Sequence, residues 1–144
     1  MYTGLQHLHS VVAYLAILAL ILVIFWMLIG SLSGREFTEK DRKFGMIGFI
    51  ISHTQLLFGL ILYFVSPLGF TLLTSGTAMS DSAARLTALE HPLINIVAIA
   101  LISVGYIRAK KMTISRARFR SIYMMYAIGL VLIISRIPWA SWLD

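Results

Sequence analysis

The chain has 144 residues, is 59% hydrophobic with a mean hydropathy of +0.88, and is only 12% charged. A soluble domain of this length is about one-quarter charged, so a water-soluble globular domain is excluded and the chain reads as embedded in a membrane. The net charge of +6 does not point to nucleic acid, because the Lys and Arg residues lie in the links between apolar runs, where they act as topology signals.

Residues 1–144 read as a single all-α transmembrane domain of four spans, at about 8–30, 44–66, 91–108 and 120–139. Their apolar cores are Val11–Ile29, Phe44–Val65, Pro92–Ile107 and Ile122–Ser135. Lipid offers the backbone no hydrogen bonds, so each span is expected to be helical. The first run has no basic segment before it and is too long for the core of a cleaved signal peptide. Gly30 and Gly34 are expected to stop the first helix. Thr38-Glu39-Lys40-Asp41 resembles a capping box and starts the second; Pro67 and Gly69 end it. The link 66–90 carries a short surface helix around 80–86, and Pro92 suits the first turn of the third span. The last two runs are short and use Arg108 and Arg120 as snorkelling ends.

Arg35, Lys40, Arg42 and Lys43 follow the first span, and Arg108, Lys110, Lys111, Arg116, Arg118 and Arg120 follow the third. The opposite side has only Arg85 and Arg136. The positive-inside rule puts both basic loops in the cytoplasm and both termini outside, with Trp139 and Trp142 in the outer aromatic belt. The expected location is a bacterial inner (cytoplasmic) membrane.

The chain is thus two hairpins. When the third span is laid on the first, His91 falls on His9, Asn95 on Ala13, Ala98 on Ala16 and Ile99 on Ile17. The overlay puts the two histidines at equal depth, facing one another. At 1.5 Å rise per residue, His9 lies roughly 26–31 Å and His91 about 25 Å from the inner ends of their spans, and His53 only about 14–15 Å from Lys43. His7 and His9 are about 200° apart around a helix, so only one faces the bundle, and the overlay selects His9. Ala13, Ala16, Ala98 and Gly105 would leave room for a flat ligand, and Arg136 or Arg85 would supply a cation.

Two histidines on facing helices suit a b-type haem in a four-helix bundle. An ionisable residue inside a span, such as His53, is a functional candidate, serving a haem, a quinone or a proton path; the alternative is a structural hydrogen bond, for example to Ser135. With no cysteine, disulfides, thiolate-held iron–sulfur clusters, covalent c-type haem and a Cys nucleophile are excluded. There is no P-loop, H-E-x-x-H or nucleophile–base constellation. Glycines Gly45, Gly48 and Gly59, with Ser52, form a close-packing face of the second span, and Met124-Met125 reads as packing.

The stretches "QHLHS", "GREFTEKDRK", "SHTQLLFGLILYFVSP", "EHPLINIVAIALISVGY" and "IPW" resemble a family of small bacterial four-helix membrane proteins labelled cytochrome b-like. The resemblance runs over nearly the whole chain. It implies a haem-bearing electron-transfer role with His9, His53 and His91 as candidate ligands and a redox partner or larger membrane complex. Two readings compete with it: a membrane subunit or assembly factor without cofactor, and an ion or proton transporter, which would require a homo-oligomer to enclose a path.

Overall fold

The computed structural model describes residues 1–142, and among them all regular structure is helical. The elements are α1 (Tyr2–Leu32), α2 (Glu39–Val65), α3 (Phe70–Thr74), α4 (Ser82–Lys111), α5 (Ser115–Ser135) and α6 (Trp139–Trp142). The four long ones are each long and apolar enough to cross a membrane. Their outward faces carry large exposed apolar side chains, such as Leu18, Leu22, Phe25 and Ile29 on α1. This is the architecture of a multi-pass membrane protein.

The bundle is two hairpins, α1–α2 and α4–α5. Helix α1 packs on α2 and α5, and α4 packs on α5 and α2, so α1 and α4 face one another only diagonally. Large side chains fill the half nearer the basic loops. Met27, Ile102, Phe119, Ile122 and Tyr126 are fully buried there, and the Tyr126 hydroxyl donates to the Gly45 carbonyl at 2.6 Å.

Helix ends differ from the sequence expectation in three places. Gly30 does not stop α1, which runs to Leu32. A Cβ on Gly30 would lie 2.5 Å from the Phe119 ring, so this glycine serves a helix contact. Gly34 is the stop, at φ +70°, a conformation that costs glycine little. The fourth long helix ends at Ser135 and not near residue 139, because Pro138 cannot donate a backbone hydrogen bond and disfavours helical backbone at Ile137.

The third difference is in α4. The expected surface helix is fused to the span as one helix, Ser82–Lys111, with a π turn at Leu86–Glu90. Pro92 has no N–H to give the Ala88 carbonyl four residues back. The π turn absorbs the clash, and the Tyr63 hydroxyl of α2 donates to that carbonyl at 2.9 Å.

The first interhelical link is tied by Asp41, whose side chain is 1% exposed. Its carboxylate accepts from Arg35 twice, at 2.7 and 2.8 Å, from Trp26 Nε1 at 2.7 Å and from the Thr38 N–H at 2.8 Å. The last contact fulfils the expected cap at Thr38-to-Asp41. Removing one partner of a buried ionic network leaves the others unpaired. Asp41→Ala is therefore expected to cost about 2–3 kcal/mol, towards the lower end for such networks because Arg35 keeps access to water. Equilibrium unfolding in mixed micelles, followed by Trp26 fluorescence, measures this; an unchanged midpoint would show that the network does not hold the link.

Candidate functional site

At the end of the bundle away from the basic loops the side chains become small. Ala13, Ala16 and Gly59 leave a cavity of about 210 Å³ between the four long helices. Leu20, Ser52 and Ile99 line its deeper part, and Tyr2, Ser66, Pro138 and Trp142 are among the residues near the helix ends. Its walls are mainly apolar, and His9, Gln55, His91 and Asn95 are among the polar side chains that line it. An apolar pocket with a few converging polar groups is the usual form of a small-molecule site.

His9 and His91 come together across the bundle diagonal. Their ring centres are 6.3 Å apart and their planes are nearly perpendicular, at 88°. The hairpin overlay anticipated this pairing. His91 Nδ1 lies 2.8 Å from the Arg136 carbonyl. A carbonyl only accepts, so Nδ1 carries the proton and Nε2 keeps a free lone pair. The Arg136 carbonyl is free for this role because α5 has ended one residue earlier. The Asn95 amide donates to the His91 carbonyl at 2.6 Å.

His9 is held from α2. The Gln55 amide nitrogen donates to the His9 carbonyl at 3.1 Å and lies 3.2 Å from His9 Nδ1. Gly59 lies close beside this ring: a Cβ there would lie 3.1 Å from His9 Cε1 and the ring would have to shift slightly. The other Gln55 atom, Oε1, is the one buried side-chain polar atom among the described residues that has no partner. A buried acceptor without a donor costs about 1–3 kcal/mol, so it marks a place where the protein favours something other than stability.

Beside the histidines, Glu90 bridges Arg85 (Nε to Oε1, 2.9 Å) and Arg136 (Nε to Oε2, 3.5 Å). The two guanidinium groups share one carboxylate and so leave a net positive charge next to the site. Glu90 thus pairs with the arginines, and His91 is oriented by a carbonyl rather than by its neighbour Glu90.

The structure does not bring His53 into this cavity. Its Nδ1 donates to the Phe49 carbonyl at 2.7 Å and its Nε2 lies 3.0 Å from the Ser103 hydroxyl, so both ring nitrogens are engaged. Its partner is Ser103, not Ser135. Gly105 is also elsewhere: a Cβ there would lie 2.6 Å from Met125 Cβ, which assigns it to the α4–α5 contact. Ala98 is fully buried and is not among the residues lining the cavity. His7 is exposed. Among the described residues no group of three or more His, Cys, Asp or Glu side chains is placed to hold a metal ion. The residue that sequence reasoning missed is Gln55. Its signal was a carboxamide inside an otherwise apolar span.

Comparisons with protein-family models, with curated proteins and with solved structures give no match. The site therefore defines a class only: a four-span helical membrane protein with a two-histidine cavity at one end of its bundle.

Gln55 separates a ligand role from a structural one. Gln55→Met removes the orphaned oxygen at nearly constant volume, and the His9 carbonyl it serves also lies within a helix. In ligand-free protein the thermal midpoint is expected to stay or rise, since the variant relieves about 1 kcal/mol or more of unmet hydrogen bonding. A clear fall would mean that the amide is part of the fold's support.

Proposed function

We propose that the chain is a b-type haem-binding electron-transfer protein of the bacterial inner membrane, with His9 and His91 as the axial pair. The observation that carries this reading is the 6.3 Å separation of the two ring centres on diagonal helices. Two imidazoles bound to one metal through bonds of about 2.0 Å put their ring centres about 6 Å apart. The donor set suits the group: His91 presents a bare Nε2, and a backbone carbonyl fixes its tautomer. For His9 to bind through Nε2, its proton must sit on Nδ1. The Gln55 carboxamide would then present its oxygen, the atom that now lacks a partner.

A haem held by His9 and His91 would supply one-electron oxidation and reduction. The protein's part is to hold and insulate it. Ala13 and Ala16 would give a flat group close approach and Leu20 and Ile99 would exclude water, while Arg85 and Arg136, paired with Glu90 next to His91 but not lining the cavity, would be the nearby cations. With the basic loops in the cytoplasm, the cavity opens to the outer side. An outer redox partner or a larger membrane complex would meet it there.

Membranes from cells expressing the chain with ample haem are expected to show a reduced-minus-oxidised α-band. His9→Ala and His91→Ala should each abolish the low-spin signal, while His7→Ala and His53→Ala retain it. Colourless purified protein, or a signal that survives loss of both His9 and His91, would sink the assignment.

The cavity volume and the orphaned Gln55 oxygen favour a second occupant, a quinol. A cavity of about 150 Å³ takes benzene, so about 210 Å³ suits one substituted ring more closely than a whole macrocycle. A quinol hydroxyl would give Gln55 Oε1 its missing donor, and the bare Nε2 of His91 would accept another. On this reading organic extracts of the purified, colourless protein contain quinone, and Gln55→Met lowers its content several-fold. Pigment that persists unchanged in Gln55→Met, with no quinone in the extract, decides for haem.

A further inference from the structure

The opposite end of the molecule carries most of the chain's cations, and several of them are already engaged. Arg35 pairs with Asp41, and Arg42 with Glu39. Arg118 donates to the Ala109 carbonyl and lies over the Phe37 ring. Lys40 lies near the Trp26 and Phe44 rings and Lys110 near Tyr106. Arg116 and Arg120 are exposed and have neither an ion pair nor a ring contact among the described residues, although Arg120 Nε donates to the Met124 sulfur at 3.2 Å. Exposed Lys43, Arg108 and Lys111 also lack an ion pair there, but Arg116 and Arg120 alone border a recess above an apolar stripe.

They are one turn apart on α5, so their guanidinium groups share one face. With Ile114 and Ala117 they border a shallow recess. Below them the same face continues as exposed Met124, Ile128 and Val131, at 40%, 45% and 65% exposure. Cations at the water boundary above an unbroken apolar stripe match the two parts of a phospholipid. Guanidinium pairs bind phosphate oxygens in bidentate fashion, which a single lysine does not do.

We propose that Arg116 and Arg120 bind the phosphate of an anionic phospholipid whose acyl chain lies along Met124, Ile128 and Val131. The site is independent of what fills the histidine cavity. It holds one lipid in a fixed place, unlike the diffuse attraction of a basic surface.

The test uses the full chain in phosphatidylcholine vesicles with a minor fraction of spin-labelled phosphatidylglycerol or, in parallel, spin-labelled phosphatidylcholine. The fraction of motionally restricted label is expected to favour phosphatidylglycerol several-fold. Arg116→Gln with Arg120→Gln should abolish most of that preference. Lys43→Gln with Lys111→Gln, which removes the same charge from exposed positions nearby, should leave most of it, and Arg116→Lys with Arg120→Lys should restore part of it. An equal loss in both glutamine pairs would mean diffuse attraction and overturn the proposal, as would no preference in the parent chain. Full competition by inorganic phosphate at concentrations that leave bulk lipid contacts unchanged would also overturn it, and would assign the arginines to a free anion.

Discussion

A bilayer interior supplies no hydrogen bonds, and the structure is arranged around that lack. The backbone meets it with four long helices. The polar side chains within the spans mostly meet it locally. Ser52, His53 and Thr54 each bond to the carbonyl four residues back on their own helix, those of Gly48, Phe49 and Ile50. Such back-bonding satisfies a polar group without needing a neighbour. Some contacts run from one helix to another, as with the Ala88 carbonyl, which gets no N–H from Pro92 and accepts from Tyr63, and the Gly45 carbonyl, which accepts from Tyr126. Against this background the Gln55 oxygen stands out, because among the described residues it is the one buried polar side-chain atom without a partner.

The two ends of the bundle are packed differently. At the basic end, the buried aromatic rings Phe119 and Tyr126 interdigitate with glycines that cannot be enlarged without a shift of the ring, and Asp41 ties the link to α1 and α2. At the histidine end the side chains are small, the polar groups converge and one of them is unsatisfied. A protein that needed only to fold would place large residues at both ends. The tight end fixes the direction of the helices, and that direction holds the cavity open at the other.

The spans, their number and their hairpin pairing were legible because length, apolarity and charge bias are properties of the chain alone. The partnership of His9 with His91 was legible for a different reason: equal depth in two equivalent hairpins is a statement about sequence offsets, and α1 and α4 preserve it. What escaped depended on contacts between elements. Gly30 and Gly105 carry the same local signal as a helix stop or a ligand slot, and only Phe119 and Met125 reveal them as packing positions. For His53 the sequence left a cofactor role and a cross-helix hydrogen bond both open, and the partner that the fold supplies is Ser103 rather than Ser135. The π turn before His91 could not be read from the sequence, since Pro92 fits the start of a helix as well as a repaired break inside one.

The orienting groups of the two histidines reveal how the pair is controlled. His9 sits on α1 and is held by Gln55 of α2, its own hairpin. His91 sits on α4 and is held by the carbonyl that ends α5, again its own hairpin. Each hairpin therefore carries a complete unit, an imidazole and the group that aims it. The distance between the rings is left to the packing of one hairpin on the other, through close contact of α1 with α5 and a sparser one of α2 with α4. A small relative movement of the hairpins changes the separation of the rings without disturbing either ring's hydrogen bonds. Such an arrangement would let the spacing of the rings change while the imidazoles stay aimed.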